Sequence, residues 1–214
     1  MADPTTMRGQ VRPDNAFGLT GEQIIRLGRG GDLLVNILPP MYWATKAGRV
    51  YHASTPDGGV APGTDITSTT APVCLYNPIG SGVDLVVVNA RVAYVSGTLG
   101  AGDIYWVANV NSAAAAVTGT ALTVVRGYIE ATGGAIGRPF HTATLPAAGT
   151  LMRVFGSIDA TLASTVGMGT YVLEDNPEGT IVVPPGTSVS LLADAAAGAA
   201  PLLAYSFTWI EVPV

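Results

Sequence analysis

From residue 70 onward, glycine, proline, asparagine or aspartate interrupts the chain every few residues, and the stretches between are short, apolar and in part alternating. A helix needs apolar residues recurring at about 3.6 over ten or more positions, whereas a strand needs only a period of two over a few. No stretch after residue 30 keeps a helical period. The longest run, VDLVVVNARVAYVSG, predicts a long strand: Leu85, Val87, Asn89, Arg91, Ala93 and Val95 on one side, and Val86, Val88, Ala90, Val92 and Tyr94 on the other, which being wholly apolar is the predicted core side. DIYWVANV, ALTVVRGYIEA, FHTATL, GTLMRVFGSID, GTYVLED, GTIVV, TSVSLLAD and AYSFTWIEV read as further strands. GTLGAGD reads as a turn, as does Pro184-Pro185-Gly186, because proline lacks the N–H a ladder needs. The Ala-rich stretches at 113–117 and 193–200 read as loops or single turns. In AYSFTWIEV, Tyr205, Phe207 and Trp209 share a face, which marks a core or interface strand. The fold expected is all-β, a β-sandwich or jelly roll.

The N-terminal part reads differently. Residues 1–18 suggest a flexible leader, and Thr20 suggests a cap for a short helix over 21–27, ended by Gly28. DLLVNILPPMYWATKAGRVYHAST, broken by Pro39 and Pro40, reads as an extended arm with strand-like pieces. The domain expectation is thus an arm over 1–50, carrying at most one short helix, and a sandwich over 51–214.

Only 12% of the 214 residues are charged, against about 25% in an ordinary domain. Such a chain cannot cover itself with lysine and glutamate, so parts of its exterior are expected to lie against partners, as in a homo-oligomer. The net charge of −5, with a single lysine, argues against nucleic acid. Residues 1–50 hold six basic and four acidic side chains, and residues 51–214 hold four and eleven, so a mildly basic arm precedes an acidic body. Cys74 is alone, which rules out an intrachain disulfide and a cysteine zinc site and predicts a buried, inert thiol. No signal peptide or membrane-length apolar run is read in the sequence, and synthesis in a reducing cytoplasm is expected.

The run YNPIGSGVDLVVVNARVAYVSGTLGAGDIYWVANV resembles a recurrent block in virion structural proteins of tailed bacteriophages, through Tyr76-Asn77-Pro78, Gly80-Ser81-Gly82 and Tyr94-Val95-Ser96-Gly97-Thr98. GDLLVNILPPMYWATKAGRVYHAST upstream, and IVVPPGTSVSL and FTWIEVPV downstream, fit the same group, so that the resemblance covers residues 30–214. It implies a jelly-roll-like subunit, commonly trimeric, carried on the capsid as a decoration or cement protein, or in a fibre or tail part. It implies no catalytic residues and no cofactor. The expected partners are further copies of the chain and the major capsid protein, and the expected location is the virion surface after synthesis in the host bacterium. On that reading residues 19–51 are the docking arm. Tyr42, Trp43 and Tyr51 are its aromatic anchors, and Arg26, Arg29, Lys46 and Arg49 its charge contacts. The alternative is a receptor- or glycan-binding module of a fibre or tail tip, which predicts exposed aromatics or amides clustered at one end of the sandwich, and binding to host cells.

Catalytic and metal signatures are weak. His52 and His141 lack ligand spacing, no G-x-S-x-G elbow occurs, and GRGGD lacks the Lys-Ser/Thr of a phosphate loop. LEDNPEG, with Glu174, Asp175 and Glu178, reads as an acidic turn ahead of a cation site; Asp57 and Asp65 read as loop residues. Trp106 and Trp209 read as packing residues, as does Trp43 from its apolar run. No enzyme is expected.

Overall fold

The computed structural model describes residues 7–11, 21–25, 40–63, 65–110, 116–129, 134–158, 162–163 and 172–214. The chain divides into two units, Met1–Ala47 and Gly48–Val214.

In the first unit, β1 (Met7–Val11) pairs antiparallel with β2 (Gly21–Ile25), with Met7 opposite Ile25 and Val11 opposite Gly21. The helix expected over 21–27 is therefore a strand over most of its length, and part of the leader is its partner. A two-turn helix is too short to hold itself, and the β-branched pair Ile24-Ile25 favours the extended chain. Helix α1 (Pro40–Lys46) stands where an extended arm was expected. Pro40 occupies its first position, where proline's missing N–H costs nothing, and Gly48 at φ +68° follows its end. Pro40, read as a breaker with its neighbour, opens the helix.

The second unit contains β3 (Val50–Ser54), β4 (Thr70–Tyr76), β5 (Val83–Ser96), β6 (Thr98–Val110), β7 (Thr118–Ala121), β8 (Val124–Arg126), β9 (Arg138–Thr144), β10 (Thr150–Ile158), β11 (Leu162–Ala163), β12 (Val172–Asp175), β13 (Ile181–Val183), β14 (Thr187–Ala197) and β15 (Leu202–Pro213). They form two antiparallel sheets. The first runs β10-β6-β14-β4-β9-β7, with β11 also on β6; the second runs β12-β5-β15-β3-β8, with β13 also on β5. The sheets pack face to face as a β-sandwich. The chain passes between them repeatedly, from β3 to β4, β5 and β6, and again from β13 to β14 and β15.

The main core lies between the sheets. Val73, Leu75, Ile104, Trp106 and Leu191 come from the first sheet, and Tyr51, Leu85, Val87, Tyr205, Phe207 and Trp209 from the second. Trp106 packs on Phe155 and Phe207, and Tyr51 stacks on Trp209 at 5.8 Å. A smaller core covers the outer face of the first sheet, where Cys74, Tyr76, Val107 and Leu192 meet Val117 and Leu145 from loops. Both faces of β4 are thus dry, and it reads as continuous apolar sequence. The strands of the second sheet alternate because only one of their faces is buried.

On β5 the alternation slips. Thr208 lies opposite Asn89 but Trp209 lies opposite Val87, so Val88 is an extra, bulged residue. Val83, Leu85 and Val87 face the core up to the bulge, and Ala90 and Val92 after it. This corrects the core side expected for Val86 and Val88, whereas Ala90, Val92 and Tyr94 do turn to the core as expected. The turn after β12 grips the bulge, since Glu178 and Gly179 donate their backbone N–H groups to the carbonyls of Val88 and Val87. Two further expectations change. GTLGAGD is not a turn, because β6 begins at Thr98 and only Gly97 turns the corner, at φ +84°. A Cβ on Gly97 would lie 2.1 Å from the Ala200 carbonyl oxygen, so no other residue fits. The Ala-rich stretch from 193 continues β14 to Ala197, where pairing with β6 overrides alanine's helical preference.

Residues of the Tyr76–Thr98 stretch act as framework. Asn77, fully buried, donates its amide to the carbonyls of Val83 (2.7 Å) and Val183 (2.8 Å), joining two turns. Gly80 and Gly82 hold positive φ, and the Tyr94 hydroxyl donates to the Gly97 carbonyl at 2.6 Å.

Candidate functional site

The predicted docking residues separate. Arg26 and Arg29 lie outside the described residues. Tyr42 and Trp43 stand on α1 with 42% and 51% of their surfaces exposed, rings edge to face at 5.6 Å. Trp43 is thus not a packing residue of the sandwich as Trp106 and Trp209 are. Lys46 closes the same helix and is exposed. Arg49 is half-buried beside the sandwich, its carbonyl accepting the backbone N–H of Glu211. Tyr51 cannot be an arm anchor: it belongs to β3, only 4% of its surface is exposed, and its ring is held between Trp209 and the Arg126 guanidinium. Its apolar, aromatic setting in VYHAS looks the same in sequence whether it packs inward or outward.

Of the four sheet faces, two meet in the core and a third carries the smaller core. On the outer face of the second sheet polar side chains gather in one area, beside half-buried aliphatic ones such as Val86 and Ile210. The bulge at Val88 turns Asn89 and Arg91 onto it, where strand register builds two adjacent rows. In one row Glu174, Arg91, Ser206 and Ser54 lie opposite one another across β12, β5, β15 and β3. In the other, Asn89, Thr208 and His52 do the same, and Asn176 reaches Asn89 from the turn after β12. The Asn89 amide donates to Glu174 Oε1 and to Asn176 Oδ1, both at 2.7 Å; Arg91 Nη2 donates to the same Glu174 oxygen at 3.0 Å. His52 Nδ1 lies 3.0 Å from Thr208 Oγ1. The hydrogen bond from Arg91, aided by Asn89, holds the Glu174 carboxyl below its usual range, and partial burial lowers the His52 pKa, so the imidazole is neutral at pH 7. The rows border a shallow depression of about 480 Å3. This arrangement was hidden in the sequence because its residues come from four separated segments and depend on one bulge.

The acidic run LEDNPEG divides between two tasks. Glu174 faces outward into the polar rows. Asp175 turns inward and accepts a hydrogen bond from the Trp106 indole at 2.6 Å and one from Arg153 Nη2 at 2.5 Å. Asp57 and Asp65 serve their own loop: Asp57 accepts the Gly58 N–H, and Asp65 the Thr67 N–H and hydroxyl. Among the described residues no three His, Cys, Asp or Glu side chains gather as metal ligands, and no helix is long and apolar enough to cross a membrane. His141 bonds its neighbour Thr142. Cys74 is fully buried, and burial pushes its thiol up to about 11.

Comparison with protein-family models, with curated proteins and with solved structures gives no match for this chain.

Proposed function

We propose that the chain is a structural subunit of a tailed-phage particle, a decoration or cement protein that sits on the capsid exterior as a homotrimer. The observation that carries the reading is the exposed Tyr42–Trp43 pair on α1, in a unit of its own ahead of the sandwich. Paired aromatics at a protein surface are the usual anchors of an interface. Lys46 on the same helix supplies a positive contact for an acidic neighbour. The mechanism is mechanical. Packaged DNA pushes outward on the shell, and a subunit seated across a joint adds buried area that must be exposed before the joint opens. At about 25 cal/mol per Å2 of apolar surface, a standard interface of about 1,600 Å2 offers a large gross stabilisation, of which association costs remove a substantial part.

The test is cosedimentation with capsids stripped of their accessory proteins. The full chain loads in saturable numbers. Removing residues 1–47, which leaves every strand of the sandwich intact, abolishes loading, and the Tyr42→Ala, Trp43→Ala double variant weakens it about a hundredfold. Undiminished loading without residues 1–47 refutes the docking assignment.

A second reading, a receptor- or glycan-binding module of a fibre or tail tip, is favoured by the polar rows. Asn89, Asn176, Arg91, Glu174 and His52 offer planar hydrogen-bonding groups of the kind that hold sugar hydroxyls. Binding to host cells that Asn89→Ala abolishes, without capsid loading, selects it.

A further inference from the structure

Asp57-Gly58 is the single Asp-Gly pair of the sequence, and no Asn-Gly pair occurs. It lies in the connection from β3 to β4, and both residues are exposed. The chain on either side is pinned to β15. Before the pair, Thr55 donates its N–H to the Tyr205 carbonyl at 2.9 Å; after it, Val60 and Leu203 exchange N–H bonds to each other's carbonyls at 2.8 and 2.9 Å. Between the pins, residues 56–59 form a β-turn, closed by the Gly59 N–H on the Pro56 carbonyl at 2.9 Å. Within that turn the Gly58 N–H meets Asp57 Oδ1 at 2.9 Å. The carboxyl carbon Cγ is bonded to that oxygen, so a backbone nitrogen and an acyl carbon stand as neighbours. Nothing lies within 4 Å of where a Cβ on Gly58 would be, which leaves room for a ring to close. The other described aspartates lack this geometry. Asp65, in the same connection, turns its Oδ1 to the Thr67 N–H instead, and the residue that follows it, Ile66, is β-branched. Asp84, Asp103, Asp175 and Asp194 stand on strands, where pairing holds the backbone extended.

From this geometry we infer that Asp57 is a modification site, at which the folded chain converts its own aspartate to isoaspartate without an enzyme. The Gly58 nitrogen attacks Asp57 Cγ. An N–Cγ bond forms, and the amide proton leaves with the carboxyl hydroxyl as one water, closing a five-membered imide. No oxidant or reductant is needed. Solvent water then opens the imide at either carbonyl. Opening at the carbonyl next to Cα leaves the main chain running through Cβ and Cγ, with one more backbone carbon and an unchanged mass. That carbon enters the turn between the two pins. The Gly59–Pro56 bond is lost, while the bonds of Thr55 and Val60 to β15 stay in place and the core is untouched. Gly58 is what admits the reaction. Its φ is not in the left-handed region, unlike that of Gly59 at +71°, so the turn does not require a glycine there, yet the ring closure is hindered by any larger residue.

The inference rests on neither reading of the function, and its test uses the full chain alone. Wild type, Gly58→Ala and Asp57→Glu are kept folded for several weeks in mildly acidic buffer, since the step consumes the acid form of the carboxyl. Isoaspartate is measured by methyl transfer from S-adenosylmethionine with an isoaspartyl methyltransferase. It is located by peptide mapping with a protease that cleaves before aspartate and skips the modified bond. In the wild type the methyl label rises with time and maps to Asp57, while Asp65 stays unmodified. Gly58→Ala, whose added methyl meets nothing in the fold, slows the rise about tenfold by crowding the approach of nitrogen to carbon. Asp57→Glu abolishes it, because the larger ring forms far more slowly. Near-ultraviolet circular dichroism of both variants matches the wild type, so the loss is not one of folding. The chain unfolded in urea gives the reference rate. Label that appears at Asp57 there and not in the folded protein overturns the inference, since the turn then holds the two groups apart. So does a rate that Gly58→Ala leaves unchanged.

Discussion

Asp175 holds the two sheets together at one edge, and its removal has a cost that can be worked out. Its carboxylate comes from the second sheet and receives the indole N–H of Trp106, a fully buried residue of the first, at 2.6 Å. In Asp175→Ala that N–H loses its acceptor in a dry site, at about 1–3 kcal/mol. The ion pair with Arg153 is half in solvent, with 43% of the arginine side chain exposed, and adds about 0.2–1 kcal/mol. The sum, about 1–4 kcal/mol, lowers the melting temperature by roughly 2–16 °C for a chain of this length. Asp175→Asn keeps an oxygen for the indole and loses only the ion pair, so it falls by about 1–4 °C. Urea unfolding followed by circular dichroism, repeated on a Trp106→Phe background, completes the cycle. There Asp175→Ala costs only the ion pair, which leaves a coupling of about 1–3 kcal/mol. Equal losses for the Ala and Asn variants, or zero coupling, refute the idea that a buried indole bond pins the sheets.

Acid stability carries the signature of the polar rows. The His52 pKa is lowered in the fold, so its contribution is present above 6.5 and fades as pH falls through the depressed value; Glu174, also lowered, contributes above about 4.5 and fades on further acidification. Thermal melts against pH therefore weaken in two steps, the upper one absent in His52→Gln and the lower one in Glu174→Gln. The Cys74 thiol stays unmodified by a disulfide reagent at pH 8 in the native protein and reacts at once in denaturant; rapid native labelling would mean that the smaller core opens.

The two-sheet architecture was legible because turns and alternation are local signals. Tyr205, Phe207 and Trp209 share a face in AYSFTWIEV, and all three are buried. What escaped the sequence depends on distant partners. The bulge at Val88 exists because β15 and the turn after β12 both register against β5, and no property of Val86-Val87-Val88 says which valine is extra. Without it Leu85 and Val87 would share a face with Asn89 and Arg91, and could not lie in the core while those two face outward. Tyr51 and Tyr42 are both tyrosines in apolar stretches, and only pairing to β15 sends Tyr51 inward. The opposite destinations of Glu174 and Asp175 follow from the strand period, but only once LEDNPEG is known to be strand at that point. Helix α1 did leave a trace, the proline at its start and the glycine after its end, which the Pro-Pro pair masked.

The strand order fixes when this protein can fold. β15 lies in the middle of the second sheet, between β5 and β3, yet every strand it joins is made long before it. Until residues 202–213 leave the ribosome, β3 and β8 have no connection to β5, and the core facing β4, β6 and β14 lacks Leu203, Tyr205, Phe207 and Trp209. The nascent chain cannot mature strand by strand. It must wait, apolar surfaces uncovered, and then close in one event dominated by long-range pairings, the slow and aggregation-exposed kind. A polypeptide stopped a dozen residues before Val214 would not be a slightly shorter sandwich; it would be an unfolded one.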